Sequence, residues 1–179
     1  FEPDPENFAI LKKNVEINGY KNVVLVQKAV SNEAGTLKLF LSEDNSGDHR
    51  IYDWKDGRKF IEVQTVRLDD FFKDHTGKID FIKIDTQGVE GAVIQGAVSI
   101  LQKNQDIEMV MEFWPKGETV FGTNPEEHLK MLADLGFKLY DIDEKDSKTK
   151  QLSIEQYLEK YTVEKDNGTN IFLSRKSME

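Results

Sequence analysis

The sequence predicts an α/β fold with a largely parallel sheet, on three observations. Strand-like and helix-like stretches alternate along the chain, with no internal repeat and no low-complexity tract. The run VVLVQKAV (residues 23–30) is compact and β-branched, the composition of a strand buried on both faces of a parallel sheet. A strand leads through a tight turn into a helix after Asp85, and a strand, loop and helix follow again from Ile107.

Each element has its own signal. Asp4 is a suitable N-cap, Pro5 stands where a first-turn proline is tolerated, and Phe8, Leu11 and Val15 recur at helical spacing until Gly19, so a helix is predicted over 5–18. Residues 23–30 form the strand just described. Gly35 and the alternating TLKLFL (36–41) predict a strand with one wet face, and FIEVQTV (60–66) repeats the pattern after a polar loop. Residues 36–66 thus read as an insertion, a small antiparallel ribbon. KIDFIKID (78–85) is a strand, and beyond its Gln-Gly turn Val89, Val93, Gly96, Ala97, Ile100 and Leu101 share one helical face. IEMVMEFW (107–114) is the next strand, followed by a loop holding Pro115 and Gly117 and by a helix over 125–135 that Gly136 ends. FKLYDID (137–143) is a further strand. A charged loop then leads to the helix SIEQYLEKY (153–161), and TNIFLSR (169–175) is the last strand.

Composition removes several function classes. With 179 residues the chain holds one full core and is short for two, so a single domain over 1–179 is predicted. No apolar run approaches the roughly 20 residues of a membrane helix, which argues against a membrane partner and for a cytoplasmic protein. The formal charge is −9 and the Lys and Arg residues are scattered, so the basic patch of a nucleic-acid binder is missing. The absence of cysteine excludes disulfides, a thiol nucleophile and thiolate metal sites. His49, His75 and His128 have no ligand-like spacing, and no metal is expected.

In open parallel sheets the ligand crevice lies beyond the carboxyl ends of the strands, and three such ends carry acids: Glu2, Asp85 and Glu112. Glu2 suits a carboxylate that accepts hydrogen bonds from both ribose hydroxyls of an adenosine, or simply a first-turn acid facing a helix dipole. The first role calls for a glycine-rich turn about 20 residues upstream, which this sequence does not contain. Lys83 and Asp85 point to one strand face, where Lys83 could pair with Glu112 as a buried ion pair. Gly88 serves either close ligand approach or the turn itself. The polar stretch Asn45, Ser46, Gly47, Asp48, His49 is long enough for a substrate loop, and His49 has the intrinsic pKa of a general base. Phe113 and Trp114 could floor a substrate pocket that Tyr52 and Trp54 cap.

Four phrases, FEPDPENFAILKKNV, KAVSN, IDFIKIDTQGVEGAVIQGA and VMEF, occur in an order that resembles the FkbM-type S-adenosylmethionine-dependent methyltransferases. The resemblance covers most of residues 1–115. It implies a Rossmann-like class I methyltransferase sheet of order 3-2-1-4-5-7-6, the last strand antiparallel and formed by 169–175 beside 137–143. It implies S-adenosylmethionine as cofactor, with Glu2 at the ribose, Ala29 and Val30 flanking the adenine, and Asp85 near the methyl donor. It implies O-methylation of a small molecule or sugar, with Asp85 or His49 as base; the strand ends and the polar loop themselves add Lys83 as a catalytic candidate and Asn45, Ser46, Glu112 and Trp114 as acceptor contacts. Gln87 departs from the family, where Glu is usual, and the first strand with its glycine loop is not in this sequence. The chain is therefore expected to be part of a longer protein, with impaired cofactor binding and open sheet edges through which copies could pair. A nicotinamide-dependent oxidoreductase also places an acid where Glu2 stands, and a non-catalytic binding or assembly module is the remaining alternative.

Overall fold

The computed structural model describes residues 1–143 and 148–178. Helix α1 (Pro5–Ile17) starts where predicted, with the Asp4 side chain accepting from the backbone N–H groups of Glu6 and Asn7. Strands β1 (Ala29–Val30), β2 (Gly35–Phe40) and β3 (Phe60–Val66) form one sheet in the order β1-β3-β2. The ribbon is present, with β2 and β3 antiparallel, and β1 joins the far edge of β3 in parallel. Helix α2 (Leu68–Phe71), strand β4 (Phe81–Ile84), helices α3 (Glu90–Gln95) and α4 (Val98–Lys103), and strand β5 (Glu108–Phe113) follow. Next come helices α5 (Pro115–Phe121) and α6 (Pro125–Asp134), strands β6 (Lys138–Asp143) and β7 (Lys148–Gln151), helix α7 (Ile154–Lys160) and strand β8 (Thr169–Ser174). The second sheet runs β4-β5-β8-β6-β7. In it β4 and β5 are parallel, and β8 is antiparallel to both β5 and β6.

The fold is a mixed α/β structure, but its described strands make two sheets and not one seven-stranded sheet. The predicted strand over 23–30 is a ladder only at Ala29–Val30. Val24 is 82% exposed and none of residues 23–27 donates a backbone hydrogen bond, because no described strand lies alongside to receive it. A second correction concerns the helix after Asp85, which is two short helices. Asp69 on α2 decides the break: its backbone N–H donates to Gly96 O (2.9 Å), and its carboxylate accepts from Ser99 N and Ile100 N, capping α4. The segment read as a loop around Pro115 is helix α5, with Pro115 in the first turn and Gly122 closing it in the left-handed region (φ 101°). Strand β7 lies in the stretch read as a charged loop, of which 144–147 fall outside the described residues.

One face of the second sheet is the core. Met109, Met111 and Phe113 of β5 and Ile171 and Leu173 of β8 are fully buried against Val93, Leu101, Leu129 and Tyr157. Alternation sends Glu112 to the other face. Arg175, just past β8, ties the far end together by donating to the carbonyls of Leu101, Asn104, Gln105 and Leu135, the carboxyl ends of α4 and α6.

Candidate functional site

The β4–β5 register places Ile84 opposite Met111, so Asp85 and Glu112 leave the ladder side by side at its carboxyl end. The turn that follows is held by Glu90. Its buried carboxylate accepts from Thr86 N (2.7 Å), Thr86 Oγ1 (3.0 Å) and Gly88 N (2.9 Å). Burial raises the Glu90 pKa against the pull of those N–H groups. Gln87 sits in the left-handed region (φ 57°), where its carbonyl accepts from Tyr52 Oη (2.8 Å). That conformation aims the amide back over the strand ends, and Nε2 donates to Asp85 Oδ1 (3.0 Å) and Glu112 Oε2 (3.2 Å). Burial first, then the charges of Glu90 and Asp85, push the Glu112 carboxyl up to about 7, while Lys83 and Arg50 oppose.

Two cavities meet here, and Gln87 borders both. The first, about 540 Å³, spans the two sheets and brings together Glu2, Ala29, Val30 and Asp85, the four residues expected at a cofactor. Glu2 is anchored beside Val26, its N–H donating to that carbonyl (3.1 Å) and its Oε1 accepting from Asp4 N (2.8 Å). Its Oε2 meets no donor among the described residues. A carboxylate oxygen beside small residues and the apolar walls of Leu39 and Ile51 fits a nucleoside with vicinal hydroxyls.

His49 borders this first cavity, with Nδ1 accepting from Ser42 N (3.0 Å) and Nε2 4.0 Å from Asp4 Oδ2. Ser46 lies there too, its carbonyl accepting from Asn7 Nδ2, whereas Asn45 is exposed and closes its own loop by accepting from Gly47 N. Lys83 differs from expectation. It is exposed, it lies opposite Val110 in the register, and its Nζ meets Asp85 Oδ2 and Asn170 Oδ1 (3.3 Å each), so no buried pair with Glu112 forms.

The second cavity, about 700 Å³, collects Glu112 and Trp114 from the expected acceptor contacts. Trp114 stacks on Trp54 (centroids 5.7 Å, 13° between planes) and its Nε1 donates to Asp166 Oδ1. Arg50 lies 5.0 Å from each indole and pairs with Asp48, to which Arg58 also bonds. Sequence reasoning missed Arg50 and the bridging amide of Gln87. Gln87 is marked in the sequence only as a departure from the usual Glu, and Arg50 has no signal beyond its place next to the polar loop, which spacing alone does not convert into a site.

Acids at parallel strand ends, a tight turn into a helix and a cavity outside them define an α/β protein of the crevice-binding class. The family model described as Methyltransferase FkbM domain matches residues 1–139, and the chain belongs to that family. No curated protein and no solved structure matches the chain.

Proposed function

We propose that the protein transfers a methyl group from S-adenosylmethionine to a hydroxyl of a small molecule or sugar. The observation that carries this reading is the convergence of Glu2, Ala29, Val30 and Asp85, distant in sequence, on one cavity beside the strand ends. Glu2 would hold the ribose hydroxyls there, Ala29 and Val30 would flank the base, and Asp85 would face the sulfonium end. The cofactor supplies, when bound, a methyl carbon open to in-line displacement. The protein's own contribution is alignment, exclusion of water and a place for one proton. Division into two cavities separated by the Gln87 side chain suits a reaction with two substrates.

Calorimetry tests the reading. The protein should bind S-adenosylmethionine and S-adenosylhomocysteine measurably, though weakly as the expected impairment of cofactor binding requires, but not NADH. Glu2→Ala should weaken the two adenosyl ligands about 10-fold or more, the loss of a hydrogen bond to a charged group. NADH binding in their place would favour the oxidoreductase alternative and sink this one.

A further inference from the structure

The second cavity is bordered by side chains that donate and side chains that accept, among them Arg50, Gln87, Asp143, Lys160 and Asn170, with the indole of Trp114 as an aromatic wall. Such a mixture matches a ring that carries several hydroxyls, its C–H groups against the indole and its oxygens on the polar rim. Glu112 stands where the two cavities adjoin, because the amide that bonds its Oε2 also borders the first cavity. Its Oε1 meets no donor among the described residues and is left to accept from a ligand.

We propose that this cavity holds a polyhydroxylated, sugar-like acceptor and that Glu112 receives the proton of the hydroxyl that is methylated. The assignment rests on the methyltransferase reading. As the hydroxyl oxygen forms its bond to the methyl carbon, its proton passes to Glu112 Oε1, and the electron pair of the breaking S–C bond stays on sulfur. The products are a methyl ether, the thioether S-adenosylhomocysteine and a protonated Glu112, which returns its proton to water. The groups that set this carboxyl are Asp85 and Lys83 on the β4 side, Glu90 on α3 and Arg50 above. Asp143 at the end of β6, Lys160 on α7 and Asp166 before β8 share its cavity. A carboxyl pushed up to about 7 takes and gives protons near neutrality.

The test uses the methyl glycosides of glucose, galactose and mannose as probes, on the wild type, Glu112→Gln and Glu112→Asp. Calorimetry reads S-adenosylmethionine affinity, quenching of Trp54 and Trp114, the two tryptophans of the chain, reads glycoside binding, and release of S-adenosylhomocysteine reads turnover. At least one glycoside should quench the wild type. Glu112→Gln should bind the cofactor as the wild type does, lower kcat about 100-fold with little change in KM, and lose the rise of kcat with pH through about 7. Glu112→Asp should recover part of that rate. Cofactor binding without quenching by any glycoside overturns the acceptor assignment, and an unchanged kcat in Glu112→Gln overturns the role of Glu112. If no form binds S-adenosylmethionine, the methyltransferase reading itself falls and takes this assignment with it.

Discussion

Gly88 shows why a single position was only half legible. The sequence allowed ligand approach or turn geometry, and the structure shows a third demand. At φ 98° a Cβ would lie 2.6 Å from the Gly117 carbonyl carbon, so the turn packs directly on α5. Gly57, at φ 81°, has nothing within 4 Å and separates strain from crowding. Gly57→Ala should cost about 1 kcal/mol from the dihedral alone. Gly88→Ala should exceed it by about 2 kcal/mol, since backbone cannot step aside as a side chain can. Denaturant midpoints of the two variants compare them directly, and equal losses would contradict the packing argument. Glu112 was visible as an acid ending a strand. Its elevated pKa was not, because it arises first from burial and then from the charges of Glu90 and Asp85, all of which the register and the turn create.

At the scale of elements, strong punctuation was readable and tertiary partners were not. The Asp4 cap and first-turn Pro5 of α1 and the left-handed Gly136 (φ 87°) just past α6 were read from local sequence. The split between α3 and α4 depends on Asp69, some 30 residues away, and no local pattern announces it. Strand β7, Lys-rich and exposed, exists because β6 offers it a ladder from Tyr140 to Asp143. Asp141 joins three elements, accepting from Lys160 Nζ (2.6 Å), Tyr161 Oη (2.8 Å) and Thr169 Oγ1 (2.8 Å). Burial works to raise its pKa, but the hydrogen bonds from Lys160, Thr169 and Tyr161 outweigh it and hold the carboxyl below its ordinary 3.8. A folded pKa below the unfolded one stabilises fully above the unfolded value, and the stabilisation is lost as pH falls through the folded one. Asp141→Asn should therefore be less stable than the wild type by about 2 kcal/mol at pH 7. The gap should close on acidification below pH 3.8, as chemical denaturation at several pH values would show.

For the whole molecule, alternation along the chain sufficed for the α/β class, and the antiparallel placement of β8 beside β6 agrees with the order that the family resemblance implies. The short pairing of residues 23–30 was beyond reach of the sequence, because it depends on a neighbour and not on their own β-branched character. Hydrogen exchange should divide the molecule accordingly. Amides of residues 23–27, which donate to nothing described, should exchange near the rate of open chain, whereas those of Met111 and Ile171 should exchange only on global opening. Slow exchange at Val24 would contradict this division.

The first cavity is walled by both sheets, with Ala29 and Val30 on one side and Ile84 and Asp85 on the other. Whatever occupies it therefore touches both sheets across a seam that no described strand pair bridges, and a ligand that binds only the folded chain stabilises both halves at once. Occupancy and rigidity rise together in such a molecule, so tight binders would be those that best brace the two halves.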